Sequence, residues 1–314
     1  MALKCEGVLA THCKALVSIS GGADSDVMVD VCERVRSVVK CQVSYVWFDT
    51  GMEYQATKRH LRYLEERYGI EILRRRAEKT IPVSCGEFGQ PFLSKLVSDR
   101  CERLQGSGFA WIDEPYDVLI EKHPRCTTGI KWWCNQNTKS DEPGWFDIGR
   151  NRWLKEYMVE NPPTFPISAK CCDYAKKRVS RRMETEGGYD VLLVGVRKAE
   201  GGVRSTHGTC FDKGHGIDTY RPLFWLSDAD KEAYVRLFRI RRSDCYELWG
   251  FERTGCTGCP FNRNVVANLE VVERYEPSLA MAARRVFAES HEYTRQYREY
   301  VRQRKSGGQM ALFF

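Results

Sequence analysis

No uninterrupted apolar stretch in this chain approaches the roughly eighteen residues that a membrane-spanning helix requires. The start of the chain, Met1 to Glu6, also lacks the apolar core of a secretory signal peptide. Internal repeats and low-complexity tracts are missing too, which excludes repeat architectures and compositionally biased linkers. These absences predict a cytoplasmic protein without a membrane partner.

The composition is that of an ordinary globular protein, with 42% hydrophobic and 29% charged residues. A chain of 314 residues can bury one large α/β core and an appendage. The formal net charge of +7 suits an anionic partner, and both ATP and nucleic acid are anionic. The apolar ending, residues 309–314, predicts a tail that packs into a groove of the body or of a second subunit in a homodimer.

The turn Ser-Gly-Gly-Ala-Asp-Ser at residues 20–25 follows an apolar run at residues 15–19. Valines recur on one face of the segment after it, which predicts a strand, a tight turn and a helix. Glycines let backbone N–H groups point at one anion, and the helix adds its positive end. The predicted phosphate contacts are Ser20, Gly21, Gly22 and Ser25. Asp24 fits a helix cap or a ligand of Mg²⁺ bound with a nucleotide. An ordinary strand-to-helix turn is the alternative.

Fourteen cysteines predict reduced thiols that serve as ligands, nucleophiles or core residues. Two pairs stand out, Cys171-Cys172 and the C-x-x-C pair Cys256 and Cys259. Neighbouring cysteines close a disulfide only with strain, so the first pair requires another explanation. Four thiolates from two chain segments can hold an iron–sulfur cluster or a zinc ion. Buried structural thiols are the remaining alternative.

Short apolar strands alternate with helices, which predicts an α/β fold with a parallel sheet. The expected strands are 15–20, 42–48, 70–73 and 191–194, and the expected helices are about 24–39 and 54–68. Nucleotides sit outside the carboxyl ends of such strands. We expect a nucleotide-binding domain at 1–240, with a loop-rich insert at about 85–165. A cluster-binding and helical region follows at 241–314.

Several segments, taken in order, resemble the phosphoadenylylsulfate (PAPS) reductase family. Residues 20–25 are similar to the PP-loop, S-G-G-x-D-S, of ATP pyrophosphatases, and residues 49–51 to the family's D-T-G loop. Residues 125–131 resemble its R-x-C-T-x-x-L-K segment, residues 195–204 its G-[IV]-R-x-x-E-x-x-x-R loop, and residues 220–228 its Y-x-P-L…W-[ST]-D turn. The two cysteine pairs resemble the cluster-binding pattern of adenylylsulfate reductases. The resemblance covers roughly residues 14 to 264.

The resemblance implies a Rossmann-like fold of the adenine nucleotide alpha hydrolase type, which binds ATP with Mg²⁺ and a 4Fe-4S cluster. It implies catalytic roles for Asp24, Arg197 and Arg204. Further nucleotide contacts that it implies are Asp49, Thr50, Gly51, Lys131, Arg197 and Glu200. The implied cluster ligands are Cys171, Cys172, Cys256 and Cys259.

Two departures from the family pattern bear on activity. Sulfonucleotide reductases attack their substrate with a cysteine near the C-terminus, but no thiol follows Cys259 here. The phosphate loop is intact, although reductases tend to carry a degenerate one. We therefore expect an ATP pyrophosphatase that adenylylates an acceptor. Sulfur transfer from a donor protein to a nucleic acid (tRNA or DNA) or to a small molecule would extend this role. The alternatives are a reductase that uses Cys210 or Cys245, and a non-catalytic nucleotide or redox sensor.

Overall fold

The computed structural model of the chain describes residues 1–138 and 142–310, without the side chains of residues 202–203 and 307–310. The predicted packing of the tail at 309–314 therefore lies outside the described residues. The strands are β1 Lys14–Ile19, β2 Gln42–Asp49, β3 Ile72–Arg76, β4 Val191–Val194, β5 Phe211–Asp212 and β6 Asp218–Tyr220. The α-helices are α1 Ala2–Ala10, α2 Ala23–Arg36, α3 Gln55–Tyr68, α4 Ile81–Phe88, α5 Lys95–Gly106, α6 Tyr116–Lys122, α7 Thr127–Trp133, α8 Leu154–Glu160, α9 Lys170–Cys172, α10 Arg178–Glu186, α11 Asp228–Leu237, α12 Asp244–Glu247, α13 Val265–Tyr275, α14 Pro277–Val286 and α15 Ala288–Met310.

The strands form one sheet in the order β3-β2-β1-β4-β6-β5. Neighbouring strands are parallel, apart from the antiparallel pair β5 and β6. β1 lies between β2 and β4, so that Val17 is paired with Tyr45 on one side and Leu193 on the other. A strand covered on both faces requires a continuous apolar run, which β1 has. The predicted α/β class with a Rossmann-like parallel sheet is confirmed.

The predicted element bounds differ from the observed ones by a few residues. α2 ends at Arg36, three residues before the predicted end at residue 39, and Val38 is exposed rather than on the buried face. The β-branched pair Val38-Val39 lowers helix propensity at that point. The third strand begins at Ile72 rather than at residue 70. The order of elements from residue 14 to residue 76 is as predicted.

The chain divides into two compact units, and this division differs from the predicted boundary at residue 240. We call them the sheet unit, Met1–Thr80 with Tyr174–Thr257, and the helical unit, Ile81–Asp173 with Gly258–Phe314. The main core of the sheet unit packs residues of β1, α2 and β4, including Val17, Met28 and Leu193. Each unit is described below by itself.

The helical unit contains the whole segment predicted as a loop-rich insert at 85–165. That segment includes the helices α5 to α8 rather than extended loops. Trp132 and Trp133 are fully buried in the core of this unit. Aromatic residues interspersed with Gly and Pro obscure the helical period in the sequence, although they fill the core. Within the described ranges, no helix is both long and apolar enough to cross a membrane.

Candidate functional site

A cleft of about 550 Å³ opens at the carboxyl ends of β1, β2 and β4 in the sheet unit. This is the edge of a parallel sheet where nucleotides bind. Of the predicted site residues, the cleft is lined by Ser20, Gly22, Asp24, Ser25, Arg197, Glu200 and Arg204. Other residues also line it: Trp47, Phe48, Glu53, Lys176, Asp228, Lys231, Tyr246, Arg253 and Thr254, of which Asp228 belongs to the W-[ST]-D segment noted in the sequence. Its volume lies in the range of small-molecule sites.

The turn after β1 is held closed by its own serines. Ser25 Oγ accepts a hydrogen bond from the Ser20 N–H at 2.9 Å and lies 3.0 Å from Ser20 Oγ. Gly22 leaves the wall of the cleft open, because a Cβ there would lie 3.0 Å from Thr254 Oγ1 and 3.1 Å from the Tyr246 hydroxyl. Gly22 and Ala23 therefore line the cleft at the start of α2, where an anion is favoured.

Gly21 has a backbone conformation and a close neighbour that both demand glycine. Its φ is +68°, and a Cβ would lie 2.6 Å from Thr57 Cγ2 on α3. We expect Gly21→Ala to lower the free energy of unfolding by about 2–4 kcal/mol, from left-handed strain and overpacking together. The measurement is urea denaturation followed by circular dichroism.

The matched control for that variant is Gly69→Ala. Gly69 has φ +63° but no atom within 4 Å of a new Cβ, so only the backbone strain of about 1 kcal/mol applies. Equal losses in the two variants would show that the contact with α3 does not constrain the turn.

Asp24 is fixed by a buried arginine that is distant in the sequence. Arg197 Nε donates to Asp24 Oδ1 at 3.0 Å, and Arg197 Nη2 donates to Asp228 Oδ1 at 2.8 Å. Lys231 Nζ also lies 3.6 Å from Asp24 Oδ1. Burial alone would lower the pKa of Arg197, but the two carboxylates outweigh it and raise that pKa. Gly22 is the N-cap of α2, so the helix-cap alternative for Asp24 is wrong. The Asp24 carboxylate must therefore have a role other than capping the helix.

Glu200 organises the loop after β4. Its Oε2 accepts the Arg197 N–H at 3.1 Å, and its Oε1 accepts hydrogen bonds from Arg204 and, at 2.9 Å, from Arg253. Arg204 is about half exposed, whereas Arg197 is only 4% exposed. The two predicted arginines therefore differ: the guanidinium of Arg197 is buried with fixed partners, whereas that of Arg204 lies at the surface.

The cations of the cleft are all paired with acids. Lys176 lies 3.8 Å from Glu53, and Arg253 shares Glu200 with Arg204. Lys176 and Arg253 have exposed side chains, while the buried acids keep other partners: Thr50 donates to Glu53, and Arg204 donates to Glu200, so a phosphate can compete for the two cations. The cleft is therefore a balanced ion-pair network with cations that an anionic ligand can recruit.

The D-T-G turn supports the cleft from outside its lining. Asp49 Oδ1 accepts the Gly51 N–H at 3.0 Å, and Asp49 Oδ2 lies 3.2 Å from Lys58 Nζ. Thr50 is fully buried and donates to Glu53 Oε1 at 2.8 Å. Glu53 itself lines the cleft, so the turn positions one wall. The remaining predicted contact, Lys131, lies exposed on α7 in the helical unit.

The predicted cluster ligands belong to different units. Cys171, Cys172 and Cys259 lie in the helical unit, while Cys256 lies in the sheet unit with its sulfur 3.7 Å from Thr50 Oγ1. Cys256 and Cys259 are three residues apart, so the chain keeps their Cα atoms within about 11 Å. Among residues 1–138 and 142–310, no three His, Cys, Asp or Glu side chains form a group that could hold a metal ion.

A further thiol, Cys85 on α4, was not predicted. α4 packs against α9, and the Cys85 side chain is hydrogen-bonded with that of Cys171. The hydrogen bond with Cys172 lowers the pKa of Cys171, but the one with Cys85, burial and the charge of Cys259 together raise it. Only the three-dimensional structure brings Cys85 here, because its spacing in the sequence matches no ligand motif.

The alternative nucleophiles for a reductase are unequal. Cys245 is fully buried, with its sulfur 4.0 Å from Thr57 Oγ1, and nothing exposes it to a substrate. Cys210 is partly exposed just before β5. Neither residue lines the cleft.

Comparisons with known proteins give a partial family match and two distant structural similarities. Residues 14–105 match the family described as phosphoadenosine phosphosulfate reductase domain. Comparison with curated protein sequences gave no match. The crystal structure of phosphoadenylyl-sulfate (PAPS) reductase from Candida auris is 14% identical, covers 81% of this chain and 86% of its own, and has a TM-score of 0.42. The U34-tRNA thiolase NcsA from Methanococcus maripaludis, with its 4Fe-4S cluster, is 12% identical, covers 94% of this chain and 77% of its own, and has a TM-score of 0.41.

Proposed function

We propose that this chain is an ATP pyrophosphatase that transfers AMP to an acceptor. The observation that carries the proposal is the turn at residues 20–25, closed by Ser25 and opening through Gly22 into the cleft. A glycine-rich turn at the start of a helix is a phosphate site, and it stands at the sheet edge where nucleotides bind. Trp47 and Phe48 at the end of β2 supply apolar wall for an adenosine.

The residues of the cleft suit adenylyl transfer. The N–H groups of the turn would hold the outer phosphates, and the exposed Arg253 and Lys176 would leave their acids to neutralise them. An acceptor oxygen attacks the α-phosphorus, the bond to the bridging oxygen breaks, and pyrophosphate leaves. Positioning and charge neutralisation supply most of the rate in such a step.

Asp24 suits a magnesium ion that arrives with ATP. Both ion pairs of Asp24 involve Oδ1, so Oδ2 is the oxygen that would hold the ion. Mg²⁺ would supply neutralisation of the phosphate oxygens. Arg197 holds the Asp24 carboxylate in place by a hydrogen bond, which makes Arg197 a positioning residue rather than a phosphate contact.

The thiols suit a 4Fe-4S cluster by their chemistry. Cys171, Cys172 and Cys259 lie in one unit, and Cys256 is tethered to Cys259 through two residues. Thiolate sulfur is the donor for iron–sulfur clusters, and zinc accepts the same donors. We propose that Cys171, Cys172, Cys256 and Cys259 hold the cluster, which would supply sulfur-transfer or redox chemistry to the activated acceptor. The proposed partners are a nucleic acid acceptor (tRNA or DNA), a sulfur-donor protein and a second copy of the chain.

The experiment that tests the activity follows ATP labelled at the α-phosphate. Protein purified without oxygen is incubated with Mg²⁺, labelled ATP and either bulk tRNA or single-stranded DNA. We expect AMP and pyrophosphate in equal amounts, with faster release when the acceptor is present. Release of ADP and phosphate, or no release with either acceptor, would contradict the proposal. Reduction of adenylylsulfate without ATP turnover would favour the reductase alternative instead.

A further inference from the structure

A second cavity in the sheet unit, of about 300 Å³, is lined by arginines and lies apart from the cleft. α3 supplies one wall, and the segment leading into α12 supplies the other. Its charged lining residues are Arg59, Arg62, Glu66, Arg241, Arg242 and Asp244. Four guanidinium groups face two carboxylates, so the cavity carries an excess of positive charge. Nothing in the proposed ATP chemistry uses these residues.

The local sequence explains why the arginines converge. Arg59, Arg62 and Glu66 are spaced three and four residues apart, which places them on one face of α3. Across the cavity, Ile240 is buried in the core and fixes the chain next to Arg241 and Arg242. The two walls therefore bring arginines together from positions about 180 residues apart in the sequence.

The outer arginines are only weakly engaged. Asp244 is shared between Arg59, at 3.4 Å, and Arg241, at 3.7 Å. A single carboxylate thus serves two guanidinium groups, although each group has five N–H donors. The Arg59 and Arg241 side chains are 51% and 61% exposed, and Arg241 lies 5.2 Å from the centre of the Tyr63 ring. Donors for an incoming oxyanion remain on both residues.

Among the described residues, one that lines the cavity has a buried polar atom without a hydrogen-bond partner. Arg242 is paired with Glu232, but its Nε is buried and has no hydrogen-bond partner in the described part of the chain. His60, also in the lining, lies 2.9 Å from Asp26 Oδ1, and Asp26 is completely buried. A buried unpaired donor is unfavourable unless a ligand satisfies it. Arg242 Nε is buried within the wall, so the exposed guanidinium groups of Arg59 and Arg241 are the donors that an anion would reach.

We propose that this cavity binds phosphodiester groups of a nucleic acid. The inference deepens the proposed function, on which it rests for the idea that the acceptor is a nucleic acid. Planar guanidinium forks recognise phosphate oxygens by paired hydrogen bonds. Exposed Arg236 and Arg239 precede Arg241 on the same segment, so basic side chains continue outside the cavity as a polymer backbone requires. A free phosphate compound would need only the cavity itself.

The test is binding of a fluorescein-labelled single-stranded RNA of about 20 nucleotides, measured by fluorescence anisotropy without ATP. We expect the double variant Arg59→Ala/Arg241→Ala to bind at least tenfold more weakly than the wild type. Removing two phosphate contacts should also reduce the slope of log K against log salt by about 1.4 for a single strand. Both side chains are exposed, so thermal unfolding should be unchanged and should confirm a folded variant.

The matched control is Arg36→Ala. Arg36 is 47% exposed and is paired with one acid, Glu33, at 3.2 Å, much as Arg59 is paired with Asp244. It lies ten residues beyond Asp26 on α2, about 15 Å along the helix axis. We expect wild-type RNA affinity in this variant. Equal weakening by the control would show a diffuse charge effect and overturn the site.

Calorimetry with pyrophosphate distinguishes the two sources of a phosphate group. The proposal would be overturned if the wild type bound pyrophosphate at micromolar concentration and the double variant lost that binding but kept the RNA affinity of the wild type. That result would assign the cavity to a free phosphate compound. Because RNA binding requires no turnover, the site can be confirmed in protein that fails to cleave ATP, and it can fail in protein that cleaves ATP normally.

Discussion

Asp24→Asn is expected to slow pyrophosphate release from ATP by about 10²–10³-fold, while the affinity for ATP changes less than tenfold. Asparagine keeps the shape of the side chain but removes its charge, so it can neither hold Mg²⁺ well nor balance Arg197 and Lys231. In the proposed site, the turn at residues 20–25 would bind phosphate through backbone N–H groups, which the substitution leaves in place. The measurement is turnover of labelled ATP against magnesium concentration, with nucleotide affinity from calorimetry.

Asp228→Asn provides the matched control for this prediction. Asp228 accepts a hydrogen bond from the same guanidinium and lines the same cleft, but its side chain is 75% exposed. The hydrogen bond from Arg197 lowers the pKa of Asp228, as expected of a partner that is ionised at neutral pH. We expect less than a fivefold loss in this variant. Equal losses from both substitutions would mean that Asp24 serves only to neutralise Arg197.

The strand, turn and helix around residues 20–25 could be predicted because their information is local. Ser20 to Ser25 are contiguous, and the apolar run before them and the valines after them determine a strand and a helix within some twenty residues. The parallel arrangement of the sheet followed from the alternation of strands and helices together with right-handed crossovers. Such features need no knowledge of distant contacts.

The partners within the cleft could not be predicted in the same way. Arg197 contacts Asp24 from 173 positions away, and Lys176 reaches Glu53 from a segment whose sequence carries no motif. The sequence indicated that Arg197 would lie at the sheet edge where nucleotides bind. It did not indicate that the N–H donors of Arg197 would be paired with the carboxylates of Asp24 and Asp228. Burial decides that difference, because an arginine that is 4% exposed must have fixed partners.

The helical unit shows a second limit of sequence reasoning. Trp132 and Trp133 stand among charged residues and read as an irregular loop, yet both are buried in a helical core. Cys85 has no recognisable spacing to Cys171, and only the packing of α4 on α9 joins them. Long-range packing, rather than local propensity, determines these positions.

Cys171→Ser is expected to remove the iron–sulfur chromophore almost completely. Wild-type protein made without oxygen should contain about four irons and four sulfides per chain. Cys171 is buried beside Cys172 and Cys85, so a serine there leaves the cluster without a central soft ligand in a site where water cannot compensate. The measurement is iron and sulfide content with visible absorption, and we expect iron to fall below about a tenth of the wild-type value. Cys256→Ser should act in the same way, since the C-x-x-C pair would supply the other half of the proposed site.

Two serine variants decide which thiols hold the cluster. Cys134→Ser, a partly buried thiol of the same helical unit, should leave iron and sulfide unchanged. Cys85→Ser should also keep the cluster, because its hydroxyl can still donate a hydrogen bond to the Cys171 sulfur. If Cys85→Ser lost its iron and Cys256→Ser kept it, Cys85 rather than Cys256 would be the fourth ligand. All four ligands would then belong to the helical unit. One zinc per chain and no sulfide in the wild type would contradict the cluster. The thiols would then form a structural zinc site, and removing them would lower the free energy of unfolding without affecting a sulfur-transfer reaction.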